Sequence, residues 1–190
     1  YVHMRKGTKF GPTSLIDGMQ RDGLVDAYDK NAMGVCAYAC ATEYTFSRED
    51  QDAYAIQSYE RSAKAWSEGK YSDEVIPVSV PQRRGEPIII SEDEEYKNVR
   101  MDKIPALRPA FSKDGTVTAA NASTINDGAG AMVLMSAEKA QELGYTALAS
   151  IKGYADAAHE PEWFTTAPAK ALPKALAKAG LNQSDVDYFE

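Results

Sequence analysis

The sequence predicts an α/β fold in which helices and strands pack in layers, with the first hundred or so residues set apart as an inserted or separate unit. Three observations carry this. Near Pro109 the character of the chain changes. Beyond it, apolar runs alternate with helical patterns in the order strand, helix, strand, helix, strand, the rhythm of helices laid on a sheet. Before it, helical segments and one isolated strand pair follow a different order.

The elements follow along the chain. Two apolar-periodic segments, roughly 13 to 22 and 32 to 44, are joined by "DGLVDAYDKNAMG". Ser47 and Asp50 stand at capping-box spacing, with Asp in place of the usual Glu or Gln. Ile56, Tyr59, Ala63 and Trp66 then recur at helical spacing, and Gly69 is a stop. "EVIPVSV" and "EPIIIS" bracket the turn-rich "PQRRG", which predicts a strand pair. "EDEEYKNVRMDK" has no apolar periodicity and reads as a charged surface loop. "GAMVLMS" reads as a buried strand. Ser136 caps the helix "AEKAQELG", which ends at Gly144. "ALASIKGYADAA" is the next strand. "PAKALPKALAKAGL" is a helix with Leu172, Leu176 and Ala179 along one face, and "VDYFE" opens another strand. A domain rarely ends by opening a strand, and the chain starts at Tyr1 without Met, so an internal piece of a longer protein is expected.

Composition excludes some functions. The 190 residues are 44% hydrophobic and 26% charged, ordinary for a globular chain. A net charge of −7 opposes a duplex-binding surface, which needs a concentrated basic face. No apolar run approaches the ~20 residues of a membrane helix, and "YVHMRKGTKFG" lacks the apolar middle of a signal peptide. Two cysteines make no disulfide framework. The expectation is a cytoplasmic protein that binds neither nucleic acid nor membrane.

The residues that carry chemistry are few. Cys36 and Cys40 stand at i and i+4 in "VCAYAC" and read as core-facing packing residues, since free Cys is among the most buried types. A zinc site would need two more ligands at fitting spacing, and none are offered. His3 sits in a terminal stretch expected to be mobile. His159 in "AHEP" reads as a surface loop residue rather than a base. "GTKFG" and "DGAG" miss the spacing of phosphate-binding fingerprints. "NDGAG" at 126 to 130 predicts a tight turn before a strand, where glycine also permits close backbone approach. Glu92 to Glu95 read as a solvated face. The cations that follow, Lys97, Arg100 and Lys103, could hold a phosphate ester.

"GTVTAANASTINDGAGAMVLMS" resembles the signature of the thiolase family, in which Asn-Ala-Ser and Asn-Asp-Gly-Ala precede a core strand. "DGLVDAYDKNAMG", "SREDQDAYAIQSYERS", "LRPAF" and "YADAAHEPEWFTTAP" are similar to further thiolase segments in the same order, so the resemblance covers essentially the whole chain. It implies a thiolase-like layered α/β fold, present in part: an inserted loop domain over residues 1–110, the end of the N-terminal half over 111–135 and the start of the C-terminal half over 136–190. The nearest subgroup is the biosynthetic acetyl-CoA acetyltransferases. It implies a Claisen condensation of two acetyl-CoA to acetoacetyl-CoA, or the reverse, through a cysteine acyl-enzyme. A second cysteine and a histidine move protons, and neutral donors hold the oxyanions.

No catalytic residue of that family falls within this chain. The resemblance places the nucleophile before Tyr1, and the Asn-Glu-Ala-Phe and Gly-His-Pro motifs and the second cysteine after Glu190. It gives the chain the coenzyme. Ser123 would hydrogen-bond the pantetheine arm. Asn98, Val99 and Arg100 would border the adenine, with Lys103 by the nucleotide. Arg100 stands where relatives often carry Asp, and Asn98 where many carry Arg. Tyr59 would lie near both the coenzyme and, in a potassium-responsive subgroup, a bound potassium ion completed by the carbonyls of Ala119, Ala120 and Ala122. Such an ion favours neutral oxygens. Met33 and Phe164 would line the acyl pocket. Ala32 replaces a common His and Tyr38 a common Glu. Small residues at 119 to 123 would let the backbone approach a slender ligand. No covalent cofactor is implied. The implied partners are acetyl-CoA, acetoacetyl-CoA and further copies of the full-length protein, in lipid metabolism. The competing readings are a coenzyme-binding and oligomerisation module without chemistry, and a generic α/β interaction domain.

Overall fold

The computed structural model describes Phe10 and residues 14–190. His3, most of "GTKFG" and the first residue of the predicted 13 to 22 segment lie outside the described residues. The chain divides into two units, Ala37–Thr124, and the stretch ending at Cys36 together with Ile125–Glu190.

The unit Ala37–Thr124 is built on a 20-residue helix, Arg48–Ser67. Its start is the predicted capping box: Ser47 Oγ accepts from Asp50 N at 3.0 Å, and Asp50 Oδ2 accepts from Ser47 N at 3.2 Å. Two of the four backbone donors that a helix start leaves open are so satisfied. The helix ends before Gly69, whose φ of +67° suits a residue without Cβ. Asp52 and Ala55 are buried, and Ile56, Tyr59, Ala63 and Trp66 continue the stripe half-buried. Trp66 packs on Tyr71 with ring centroids 4.7 Å apart.

Two strands, Val78–Val80 and Ile88–Ile90, form the predicted antiparallel pair, with Ser79 opposite Ile89. Both faces are solvent-exposed. The charged excursion that follows is more ordered than a loop. It forms a helical turn, Glu95–Asn98, and a 3-10 helix, Met101–Ala106. Charge pairing supplies what apolar periodicity does not: Glu92 accepts from both Lys97 and Tyr96. Ile104, 1% exposed, anchors the 3-10 helix against the long helix. Burying such a side chain is worth about 1.5–3 kcal/mol.

The other unit begins with a short helix, Gly18–Gly23, capped by Asp17, which accepts from Met19 N and Gln20 N. The connection predicted between the first two helices is a tight turn. Asp26 Oδ1 accepts from Tyr28 N and Asp29 N at 2.7 Å, and Val25 bridges Ala32. The helix Met33–Glu43 starts there. Further on, Ser136 caps Ala137–Leu143, and Gly144 ends it in the left-handed conformation, as predicted. A 3-10 helix, Pro161–Thr166, leads into Ala167–Ala179, which presents Leu172, Leu176 and Ala179 on its half-buried side and ends at Gly180. Gly153 lies under this last helix. A Cβ there would come within 2.5 Å of Ala175 O.

Three strand expectations fail among the described residues. "GAMVLMS", "ALASIKGYADAA" and "VDYFE" form no paired strand. Met132, Val133 and Leu134 are 69–83% exposed rather than buried. A continuous apolar run reads as a strand covered on both faces. Such a strand needs ladder neighbours, and the described residues bring none alongside. "NDGAG" also departs from expectation, since a Cβ on Gly128 or Gly130 would meet nothing within 4 Å. The close backbone approach is at Gly153.

Candidate functional site

The sequence-predicted coenzyme residues all fall in the unit Ala37–Thr124, and two of them, Tyr59 and Ser123, lie at a turn over residues 118–122. Thr118 is fully buried. Its N–H donates to Asn121 Oδ1 at 2.7 Å, and its carbonyl accepts from Ala122 N at 3.0 Å. Its hydroxyl takes longer bonds from Ala120 N and Asn121 N, at 3.3 and 3.4 Å. The turn therefore satisfies its own donors and leaves Ser123, just beyond it, exposed. Ala119 is exposed, and Ala120 and Ala122 are half-buried.

Tyr59 donates its hydroxyl to Ala120 O at 3.3 Å, so two of the four residues expected around a cation are brought together. Burial pushes the Tyr59 phenol above its ordinary range, with the Glu95 carboxylate adding to it. Tyr59 thus stays neutral at ordinary pH. Tyr59 and the Ala120 carbonyl are neutral oxygens, the kind of ligand a monovalent ion takes.

Val99 is half-buried, while Asn98, Arg100 and Lys103 are exposed, next to the anchored Ile104. Lys103 lies 3.4 Å from Asp102, an exposed pair that water screens. Lys97 is engaged by Glu92.

Beneath the turn is a polar network that the sequence reading passes over. Asp52 Oδ2 accepts from Arg48 Nε at 2.7 Å, and Oδ1 accepts from Asn121 Nδ2 at 2.9 Å. Arg48 Nη2 donates to the carbonyls of Ile104 and Leu107 at 3.0 and 3.1 Å. Asn121 Nδ2 also donates to Thr116 O at 3.0 Å. Gln51 Nε2 reaches Thr116 Oγ1 at 3.0 Å. The sequence marks only its local end: Asp52 is a charge on the apolar stripe of a helix, four residues from Arg48 and four from Ile56, while its distant partners leave no pattern.

Met33 and Phe164 belong to the other unit. At 39% and 38% exposed, neither is core filler. One turn past Met33, Cys36 is buried, and its thiol is pushed up first by that burial and then by Asp26, Glu162 and Asp29. An activated cysteine needs the opposite environment, so packing is the role that fits Cys36. Cys40, on the same helix, is half-buried. His159 is better held than a surface loop residue. Its side chain is 12% exposed, Nε2 lies 2.9 Å from Thr166 Oγ1, and Nδ1 lies 3.3 Å from Glu160. These bonds fasten the ring to the 161–166 turn.

Comparison with known proteins puts this geometry in context. Residues 1–138 match the model of the thiolase N-terminal domain, and residues 145–190 that of the thiolase C-terminal domain. Acetyl-CoA acetyltransferase 2 of Arabidopsis thaliana is 53% identical over 98% of this chain and 47% of its own length. The probable acetyl-CoA acetyltransferase of Dictyostelium discoideum is 52% identical over 98% of this chain and 45% of its own. The chain thus spans about half the length of these curated relatives. Among solved structures, a thiolase from Ascaris suum in complex with coenzyme A superposes with a TM-score of 0.85 at 48% identity, covering 93% of this chain and 45% of that one. The acetyl-CoA acetyltransferase of Bacillus anthracis superposes with a TM-score of 0.89 at 36% identity, over 96% of this chain and 46% of that one.

Proposed function

The chain belongs to the thiolase family, and from that premise we propose that the protein carrying it is an acetyl-CoA C-acetyltransferase, to which these 190 residues contribute the coenzyme-binding part. The observation that carries the reading is identity of 52–53% across 98% of the chain to acetyl-CoA acetyltransferases, with Asn121, Ala122 and Ser123 set on an ordered turn. In the reaction, a cysteine thiolate attacks the acetyl thioester carbonyl and coenzyme A thiolate leaves. The α-carbon of a second acetyl-CoA loses a proton and attacks the acyl-enzyme. Acetoacetyl-CoA forms and the cysteine is released. The cysteines and histidine of these steps belong to parts of the protein outside the chain, and the chain by itself is inactive. The buried, unactivated Cys36 supports this assignment.

In this reading Ser123 Oγ holds the pantetheine arm. Val99 with Asn98 and Arg100 borders the adenine, Lys103 faces the nucleotide, and Met33 and Phe164 line the acyl pocket. The division at 110 and 135 between loop domain and halves is part of the same proposal. The exposed 131–135 run then awaits strands from the remainder of the protein. In the same reading a potassium ion would be held by Tyr59 and the carbonyls of Ala119, Ala120 and Ala122. Among the described residues no helix is long and apolar enough to cross a membrane, and we place the protein in the cytoplasm as a homo-oligomer.

Ser123→Ala tests the coenzyme role. Loss of one neutral hydrogen bond, about 0.5–1.5 kcal/mol, raises the Michaelis constant for the coenzyme thioester about two- to twelvefold with kcat little changed. An unchanged constant removes Ser123 from the site. The other reading is a coenzyme-binding module without chemistry. A reading frame with no Cys before Tyr1 and no Gly-His-Pro after Glu190 would favour it.

A further inference from the structure

Three stretches of chain distant in sequence meet at one carboxylate. Asp52, 5% exposed, uses one oxygen on Arg48 and the other on Asn121. Through Arg48 it reaches the carbonyls of Ile104, which follows directly on Lys103, and of Leu107. Through Asn121 it reaches Thr116 O and Thr118 N, which fix the turn ahead of Ser123. A buried ion pair is a poor way to gain stability, because apolar residues of equal volume do as well or better. What it gives is direction. A guanidinium presents donors in a rigid plane, so one Arg can hold a carboxylate and two carbonyls in fixed relation, and a lysine cannot.

We propose that Arg48 and Asp52 are positioning residues for coenzyme binding. The pair sets the spacing between segment 98–103 and the turn at 118–123, so that a nucleotide held by one and a pantetheine arm held by the other can be parts of one molecule. This rests on the coenzyme reading above. It adds residues that touch no ligand themselves and act through Ile104, Leu107 and Asn121.

The experiment is calorimetric binding of coenzyme A and of pantetheine, which lacks the nucleotide, to the full-length protein and two variants. Arg48→Lys keeps the charge beside Asp52 and loses the fork on Ile104 and Leu107. The expected result is a Kd for coenzyme A raised about tenfold, with that for pantetheine within about twofold of wild type. Asn121→Ala frees the turn itself and is expected to weaken both ligands by similar factors of about five to ten. A partly unfolded variant lowers binding stoichiometry without changing the ratio of the two constants, so the ratio separates positioning from stability. If Arg48→Lys leaves coenzyme A binding unchanged, or weakens both ligands equally, the proposal is overturned. If Arg48→Lys does not fold, Asn121→Ala decides: unchanged pantetheine binding overturns the proposal. Wild-type protein that binds neither ligand overturns the coenzyme reading, and the proposal with it, before any variant is made.

Discussion

Replacing Asp52 with Ala should be among the most damaging single changes in the unit Ala37–Thr124, and its cost can be worked from the contacts. Removing one partner of a buried ion pair costs about 3–5 kcal/mol, because the other charge is left uncompensated. Two features lower that here. The Arg48 side chain is 20% exposed, against 7% for Asp52, and it keeps its bonds to Ile104 O and Leu107 O. Asn121 Nδ2 keeps Thr116 O. A loss of about 2–3 kcal/mol follows. With a urea dependence of about 2 kcal/mol per molar, the midpoint of unfolding falls by roughly 1–1.5 M. The assay is urea denaturation of the full-length protein followed by far-UV circular dichroism, for Asp52→Ala, Arg48→Ala and the double variant. The pair should show a coupling of at least about 1 kcal/mol. If the two losses add to within about 0.3 kcal/mol, Arg48 and Asp52 do not act on each other and the reasoning fails.

Other outcomes follow from single contacts. In Gly153→Ala the new Cβ would meet Ala175 O at 2.5 Å and Ala179 N at 3.1 Å, both backbone, so the helix Ala167–Ala179 must shift. A loss of about 1–3 kcal/mol is expected in thermal unfolding, and an unchanged midpoint would show that the helix does not rest on that glycine. The Asp50 carboxyl is held below its ordinary value by its hydrogen bonds with the Ser47 side chain and backbone. A depressed folded value means that the stabilisation is present above the unfolded pKa of about 3.9 and is lost as pH falls through the folded one. Asp50→Asn should therefore flatten the acid limb of helix loss followed by circular dichroism below about pH 4. An acid limb identical to wild type would contradict this.

What the sequence made legible was local. Ser47 with Asp50, Ser136 with Gly144, and the face of Leu172, Leu176 and Ala179 each depend on residues within one or two turns, where spacing alone fixes the partner. The strand pair around "PQRRG" was visible for the same reason, since a short turn leaves its flanking strands little choice. The network under Asn121 was not legible, because Arg48 meets carbonyls 56 and 59 residues away and no periodicity encodes such a meeting. The charged segment 92–103 reads as a loop because its order comes from Lys97, Tyr96 and Glu92 bonding one another rather than from an apolar face. The run Met132–Leu134 reads as buried because composition reports what a segment could pack against, not whether a neighbour lies alongside. The candidate site was legible only through its resemblance to a family. Nothing in the residue types of 119 to 123 alone points to a ligand.

The long helix gives those alanines their meaning. Asp52 and Tyr59 stand seven residues apart on it, about 10 Å along the axis, and each fastens the turn through a different residue, Asn121 and Ala120. The conformational entropy of the turn is therefore surrendered when the chain folds, and in the coenzyme reading an arriving molecule would find a surface whose shape is already settled. Rigidity borrowed from a neighbouring rod frees the turn from having to stiffen itself with bulk, so methyl groups suffice there.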